Sequence, residues 1–419
     1  MSRRALLALT VPVLIAAGAI ALSSASDRVA SESRGDTTWI AILSGQFTVD
    51  ATTVDECTDA ENPRLCYAQA FGNIAFNEGG GRAMSLLLET SAGAKDELSD
   101  CHSIAHMVGT AAYYGVDKDF ADAIAAGSRE CAGGYYHGVA AAEAASNPGD
   151  DPVELGDRLA NLCYVASREA PIVNGVSALE AVMTECAHGI GHVAQHTYEY
   201  DIPTALLSCD AMRSELKALK ISSEEDRETF FTCAQGVFME NRNSGGGPEA
   251  KWIKADDPIY PCDEFDDEEV GLACWDAVPS AVTVLNDAGE VDIVEAARLK
   301  FEVCAKAERE AWRDRCYEIT RRVSINGENM SAALYRAICV LDPVSIERCL
   351  LDIGSEIMLR NSSIELGSIV CSAAESPSEI ESCGRGLGLG LRYVPLPIEL
   401  CDGFTPLLRG PCRQAYEFR

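Results

Sequence analysis

The sequence predicts an all-α fold of helical hairpins stapled by disulfides, arranged either as an α-solenoid-like stack or as a compact multi-helix array. Three observations carry this expectation. Cysteines recur late in apolar helical runs and again early in the next run, as in Ala337-Ile338-Cys339, Ile369-Val370-Cys371 and Glu399-Leu400-Cys401. Asn62-Pro63, Asp342-Pro343 and Ser376-Pro377 mark helix starts before the second cysteine of a pair. Alternating β-branched runs, which signal strands, are rare and short.

At the N-terminus, Arg3 and Arg4 precede an uncharged stretch over residues 5–25, and Asp27 and Arg28 follow it. Ser23-Ser24-Ala25 offers the small-x-small cleavage site of a secretory signal peptide. The stretch also approaches the length of a single membrane anchor. Both readings place Ser26 onward outside the cytosol, secreted or held at a membrane through this segment alone. Residues 26–50 read as a linker to the first hairpin.

The 18 cysteines are even in number, and no C-x-x-C occurs. In an exported chain this composition is a disulfide framework by default. Thioredoxin-type, zinc-ribbon and c-type haem signatures are absent. Pairing of sequence neighbours is the simplest arrangement: Cys57–Cys66, Cys101–Cys131, Cys163–Cys186, Cys209–Cys233, Cys262–Cys274, Cys304–Cys316, Cys339–Cys349, Cys371–Cys383 and Cys401–Cys412. Sequence alone leaves interleaved connectivities open. In the connecting loops, Asn, Asp or Ser would accept hydrogen bonds from orphan amides at a helix start, and proline suits the next position. Ser376 with Glu379 reads as a capping box.

The units resemble one another after the second cysteine. Cys131-Ala-Gly-Gly, Cys186-Ala-His-Gly, Cys233-Ala-Gln-Gly and Cys383-Gly-Arg-Gly share a C-x-x-G core, and Cys66-Tyr-Ala-Gln is a looser version. Such repeats suggest stacked hairpins, although the spacing is long in the first half and short in the second. The glycine-rich stretch 244–250 divides a histidine- and cysteine-rich part, residues 51–243, from a histidine-free part, residues 251–419. Gly384 to Gly390 superficially matches a phosphate loop, but no strand precedes it.

Hydrophobic residues make up 47% of the chain, enough for a large core, and the formal net charge is −31. Such a surface repels phosphate backbones and argues against nucleic acid as a partner, while it attracts cations and basic proteins. The densest acidic run, Asp263 to Glu269, lacks the spacing of a calcium loop and reads as a solvated face.

All six histidines, His102, His106, His137, His188, His192 and His196, fall on three expected helices close behind stapling cysteines. His102 and His106 are four apart, as are His188 and His192, so each pair shares a helix face. This is a standard way to present two imidazoles to one ion. Along the second stripe, Gln195 and Glu199 follow, with His196 at its edge. Glu199 is the expected carboxylate ligand. His137 and His192 both lie six residues after a cysteine, and Met239 has the same offset from Cys233. Gly109, Gly133, Gly134, Gly138, Gly189 and Gly191 flank the histidines and would let backbones approach closely. Packing without an ion, or a buried polar network, competes with this reading, most strongly for His196. Tyr135 and Tyr136 read as core.

The expected metal site therefore comprises His102, His106, His137, His188, His192 and Glu199. It would hold one or two ions of zinc, copper or iron, and two helical histidines could alternatively hold a haem. No H-E-x-x-H, G-x-S-x-G, P-loop or dinucleotide fingerprint is present. The function expected is an extracytoplasmic metal-binding helical repeat protein. The rivals are a metalloenzyme, an oxidase or hydrolase, on the same histidines and an acidic scaffold for a protein partner.

Overall fold

The computed structural model describes most of residues 63–417, together with Val54 and Cys57. The signal-or-anchor segment, the linker that follows it and the glycine-rich stretch 244–250 lie outside the described residues.

The described chain is helical with no named strand; an isolated bridge joins Lys254 and Asp257. The first nine described helices are α1 (Pro63–Glu78), α2 (Gly80–Gly93), α3 (Cys101–Gly115), α4 (Phe120–Ala125), α5 (Gly134–Ser146), α6 (Pro152–Glu169), α7 (Ala178–Thr197), α8 (Ile202–Ala218) and α9 (Ser223–Asn243). After the glycine-rich stretch come α10 (Glu268–Ala277), α11 (Ile293–Cys304), α12 (Glu310–Val323), α13 (Ala332–Leu341), α14 (Ile346–Asn361), α15 (Ile364–Cys371), α16 (Pro377–Tyr393) and α17 (Pro406–Glu417). Among the described residues, no helix is long and apolar enough to cross a membrane.

The helices form two layers. An inner row runs α1, α3, α5, α7, α9, α10, α12, α14, α16, α17, each packed on the next. In the second layer α4, α6 and α8 pack in succession, as do α11, α13 and α15. One continuous apolar core threads the stack, from Phe71 and Met84 through Ile190 and Val237 to Leu387 and Leu408. The row continues past the glycine-rich stretch. The amide of Asn241 donates to the Trp252 carbonyl at 2.9 Å, Arg242 donates to the Pro258 carbonyl at 2.9 Å, and Arg213 pairs with Glu269 at 2.6 Å.

Nine disulfides join sequence neighbours, and no described cysteine is free. From Cys163–Cys186 onward, each bond ties a second-layer helix or turn to the inner row. The Cys101–Cys131 bond breaks the expected grammar. Cys101 opens α3 rather than ending a helix, and Cys131 sits just before α5 with φ 57°, so this bond clamps two inner-row helix starts together.

The C-x-x-G signature has a packing cause. A methyl group on Gly134, Gly189, Gly236 or Gly386 would lie 2.1–2.8 Å from backbone of the preceding inner helix: 2.4 Å from the His102 carbonyl, 2.8 Å from His137 Cα, 2.1 Å from the His188 carbonyl and 2.1 Å from the Leu351 carbonyl. These helices touch backbone to backbone, which only the smallest residue permits. The Gly-Leu alternation in α16 follows the same logic. Gly386 and Gly390 face α14, while Gly384 and Gly388 face α17, so one helix packs closely on both neighbours.

Capping explains the hairpin turns, with one correction. The capping box forms as expected: the Ser376 hydroxyl accepts from the Glu379 amide at 3.3 Å, and the Glu379 carboxylate accepts from the Ser376 amide at 3.4 Å. Asp342 does not start α14. It ends α13, and Ser345 accepts the Arg348 amide at the start of α14. The Asp342 carboxylate is instead taken up by the buried Arg321, at 2.5 and 3.1 Å, and Arg321 also reaches Asp352 at 2.9 Å. The acidic run is a solvated face, as expected, with Asp267 capping α10.

Candidate metal centre

Three consecutive inner-row helices bring the histidines together. α3 supplies His102 and His106, α5 supplies His137, and α7 supplies His188 and His192. The ring centroids form a contiguous group: His102–His106 4.7 Å, His106–His137 5.1 Å, His137–His188 4.8 Å and His188–His192 4.8 Å. The glycines set this distance. A methyl group on Gly138 would lie 1.9 Å from the His106 carbonyl, and one on Gly109 would lie 1.9 Å from the Tyr135 carbonyl.

The nitrogens converge. His106 Nε2 lies 3.1 Å from His102 Nε2 and 3.2 Å from His137 Nδ1. Nitrogens bound to one tetrahedral ion through bonds of about 2.0–2.1 Å sit about 3.3 Å apart, so this spacing suits a shared ion. His102, His106 and His137 form one group whose ligand atoms lie within 4.8 Å of one another, and His137, His188 and His192 form a second.

Neighbouring groups aim the rings. His102 Nδ1 donates to the Cys131 carbonyl at 2.9 Å, which leaves Nε2 with its lone pair facing the cluster. His188 is hydrogen-bonded to the Thr232 backbone. His192 Nδ1 donates to the Glu240 carboxylate at 2.8 Å. Its Nε2 is then an acceptor, buried and without a partner, and His137 Nε2 is likewise buried and unpartnered. Carboxylates and carbonyls behind ligating histidines are the usual second shell of a metal site.

The electrostatics keep three of the rings neutral. Burial, reinforced by the neighbouring imidazoles, holds His106, His137 and His188 well below the ordinary imidazole value. Neutral rings offer lone pairs, the form a metal ion binds. Burial works against the Glu240 carboxylate, but the charge of His196 and the hydrogen bonds from His192 and His196 outweigh it and hold that carboxyl below its usual range.

The sequence-derived ligands divide cleanly. His102, His106, His137, His188 and His192 meet in the cluster. Glu199 does not join it. α7 ends at Thr197, Glu199 follows with φ 54°, and the side chain is exposed, so the i+4 stripe breaks before reaching it. Gln195 is buried and turns toward Asn241. His196 is 37% exposed and bridges the Tyr200 hydroxyl at 2.8 Å and Glu240 at 2.9 Å. Tyr135 is core, its hydroxyl donating to the Ala123 carbonyl at 2.7 Å.

Two carboxylates escaped sequence reasoning. Glu185 lies 3.4 Å from His137 Nε2, outside hydrogen-bonding geometry. It sits three residues before His188 on the same α7 face, so extending the stripe backward would have found it. Glu240 comes from α9 through a long-range contact, and the repeat offset pointed one residue short, at Met239. No protein-family model, curated protein or solved structure matches this chain.

Proposed function

We propose that this is an extracytoplasmic metal-binding helical repeat protein whose histidine cluster captures and holds a transition metal ion. One observation carries the reading. Buried and half-buried imidazoles from three helices face one another, and two buried nitrogens, His137 Nε2 and His192 Nε2, make no hydrogen bond within the protein. A buried ring nitrogen left without a hydrogen bond costs about 1–3 kcal/mol, and an ion bound at these nitrogens removes that penalty.

Every described cysteine is in a disulfide, so the donors are imidazole and carboxylate. That set suits zinc, copper(II) or non-haem iron. The packing favours a bare ion over haem. A macrocycle needs a flat slot between its axial imidazoles, whereas the rings of His102, His106 and His137 sit edge to face at 4.7–5.2 Å with the helix backbones in contact beside them. Nine disulfides fit an oxidising compartment.

A metalloenzyme is the second reading. The chain Tyr200–His196–Glu240–His192 links the surface to the buried ring and could pass a proton. Metal analysis of the purified protein, before and after reconstitution with zinc, copper or iron, tests the first reading. A stoichiometric ion, lost on His106→Ala with His188→Ala, is expected. Trace metal under every condition sinks both readings. Turnover by the loaded protein that vanishes on Glu240→Gln would favour the enzyme.

A further inference from the structure

The cluster holds two groups of possible ligands, and they share one residue. His137 belongs to both, and the fold explains why. It lies on α5, the middle of three consecutive inner-row helices, between α3 and α7. Close approach on both sides leaves its ring reaching both neighbours: Gly138 of α5 packs on the His106 backbone, and Gly189 of α7 packs on the His137 backbone. One ring edge faces α3, where Nδ1 is 3.2 Å from His106 Nε2. The other faces α7, where Nε2, buried and without a hydrogen bond, is 3.4 Å from the Glu185 carboxylate.

We propose, building on the metal-binding reading above, that His137 is a bridging ligand and that the site is dinuclear. The first ion takes His102 Nε2, His106 Nε2 and His137 Nδ1. The second takes His137 Nε2 with His188 and His192 Nε2, and the Glu185 carboxylate stands beside it. Two metal–nitrogen bonds of about 2 Å and the width of one imidazole ring place the ions about 6 Å apart.

The proton balance closes, and the charge of the loaded site falls to one net positive. A neutral imidazole has one N–H and one lone pair, so binding ions at both nitrogens releases the ring proton to solvent and leaves an imidazolate. Two divalent ions bring four positive charges. The imidazolate, Glu185 and Glu240 supply three negative charges within or directly behind the site, where both carboxylates are largely shielded from solvent. A site with one ion needs neither the second nitrogen of His137 nor the carboxylate on its far side.

Cupric ion is the probe, added to the metal-free full-length protein and followed by electron paramagnetic resonance. The protein takes up two equivalents. As the second binds, the signal per copper falls by more than half, because an imidazolate couples the two spins antiferromagnetically. Loading one equivalent of copper with one of zinc restores a full single-copper signal, a control that needs no variant. His137→Ala, with helicity verified by circular dichroism, removes the coupling. Saturation at one equivalent, or two equivalents with undiminished uncoupled signal, overturns the bridge while leaving the metal-binding reading intact. Failure to bind copper, zinc or iron at all overturns both.

Discussion

The close helix crossings make a sharp prediction away from any ligand atom. In Gly138→Ala, the new methyl group would lie 1.9 Å from the His106 carbonyl oxygen, whereas ordinary contact begins at 3.4 Å. α3 and α5 must therefore separate by about 1.5 Å at this point. His106 Nε2 and His137 Nδ1, now 3.2 Å apart, would move toward about 4.7 Å. Two bonds of about 2.1 Å span at most about 4.2 Å even when collinear, so the two rings could no longer share one ion. Overpacking should also destabilise the fold by about 1–3 kcal/mol. Gly386→Ala is the control, since its methyl group would meet the Leu351 carbonyl at 2.1 Å, far along the stack from the histidines. Competition with a chromophoric chelator gives metal affinity, and denaturant unfolding gives stability. Both variants should lose comparable stability, while the Gly138 variant alone loses metal affinity, by at least about tenfold. Metal binding as tight as in the parent protein, or an equal loss in both variants, would refute the reasoning.

Other consequences follow from the surrounding network. Glu240→Gln removes the charge that orients His192 and His196 and should weaken metal binding by about 10–100-fold, measured by the same competition. Acid should destabilise the metal-free protein. His106, His137 and His188 are held neutral when folded, but they take up protons in the unfolded chain below about pH 6.5, so stability is intact above that pH and falls beneath it. The slope is up to about 1.4 kcal/mol per pH unit for each ring. Urea unfolding between pH 8 and pH 5 checks the sign, and an unchanged midpoint would contradict it. Arg321→Met leaves Asp342 and Asp352, 0% and 4% exposed, without their shared cation, and should cost about 3–5 kcal/mol in denaturant unfolding. Metal affinity in that variant should be unchanged, because the network lies in α12, the end of α13 and α14, away from the histidines.

Much of the architecture was legible because it is written in local patterns. Cysteines that alternate between the end of one helix and the start of the next, with capping residues between, specify hairpins and neighbour pairing. The C-x-x-G signature was visible as a repeat, but its cause was not. That a glycine touches a carbonyl on the preceding inner helix is a contact between units, and sequence spacing carries no record of it. The i, i+4 histidine pairs on α3 and α7 and the lone His137 were readable from helical periodicity. Glu199 failed for a local reason, because α7 stops at Thr197 and the backbone turns left-handed there. Glu240 was invisible for the opposite reason, since it meets His192 from 48 residues away across a helix interface. Asp342 shows that a sequence matching a helix start can serve a buried arginine instead.

X-ray absorption on the full-length protein loaded with one equivalent of zinc addresses the coordination directly. Imidazoles converging from α3, α5 and α7 require a nitrogen shell at about 2.0–2.1 Å with the outer-shell scattering of at least three histidine rings. That scattering should diminish in His137→Ala. A shell of oxygen alone, with no imidazole scattering, would mean that zinc sits on surface carboxylates and that the buried histidines hold no ion.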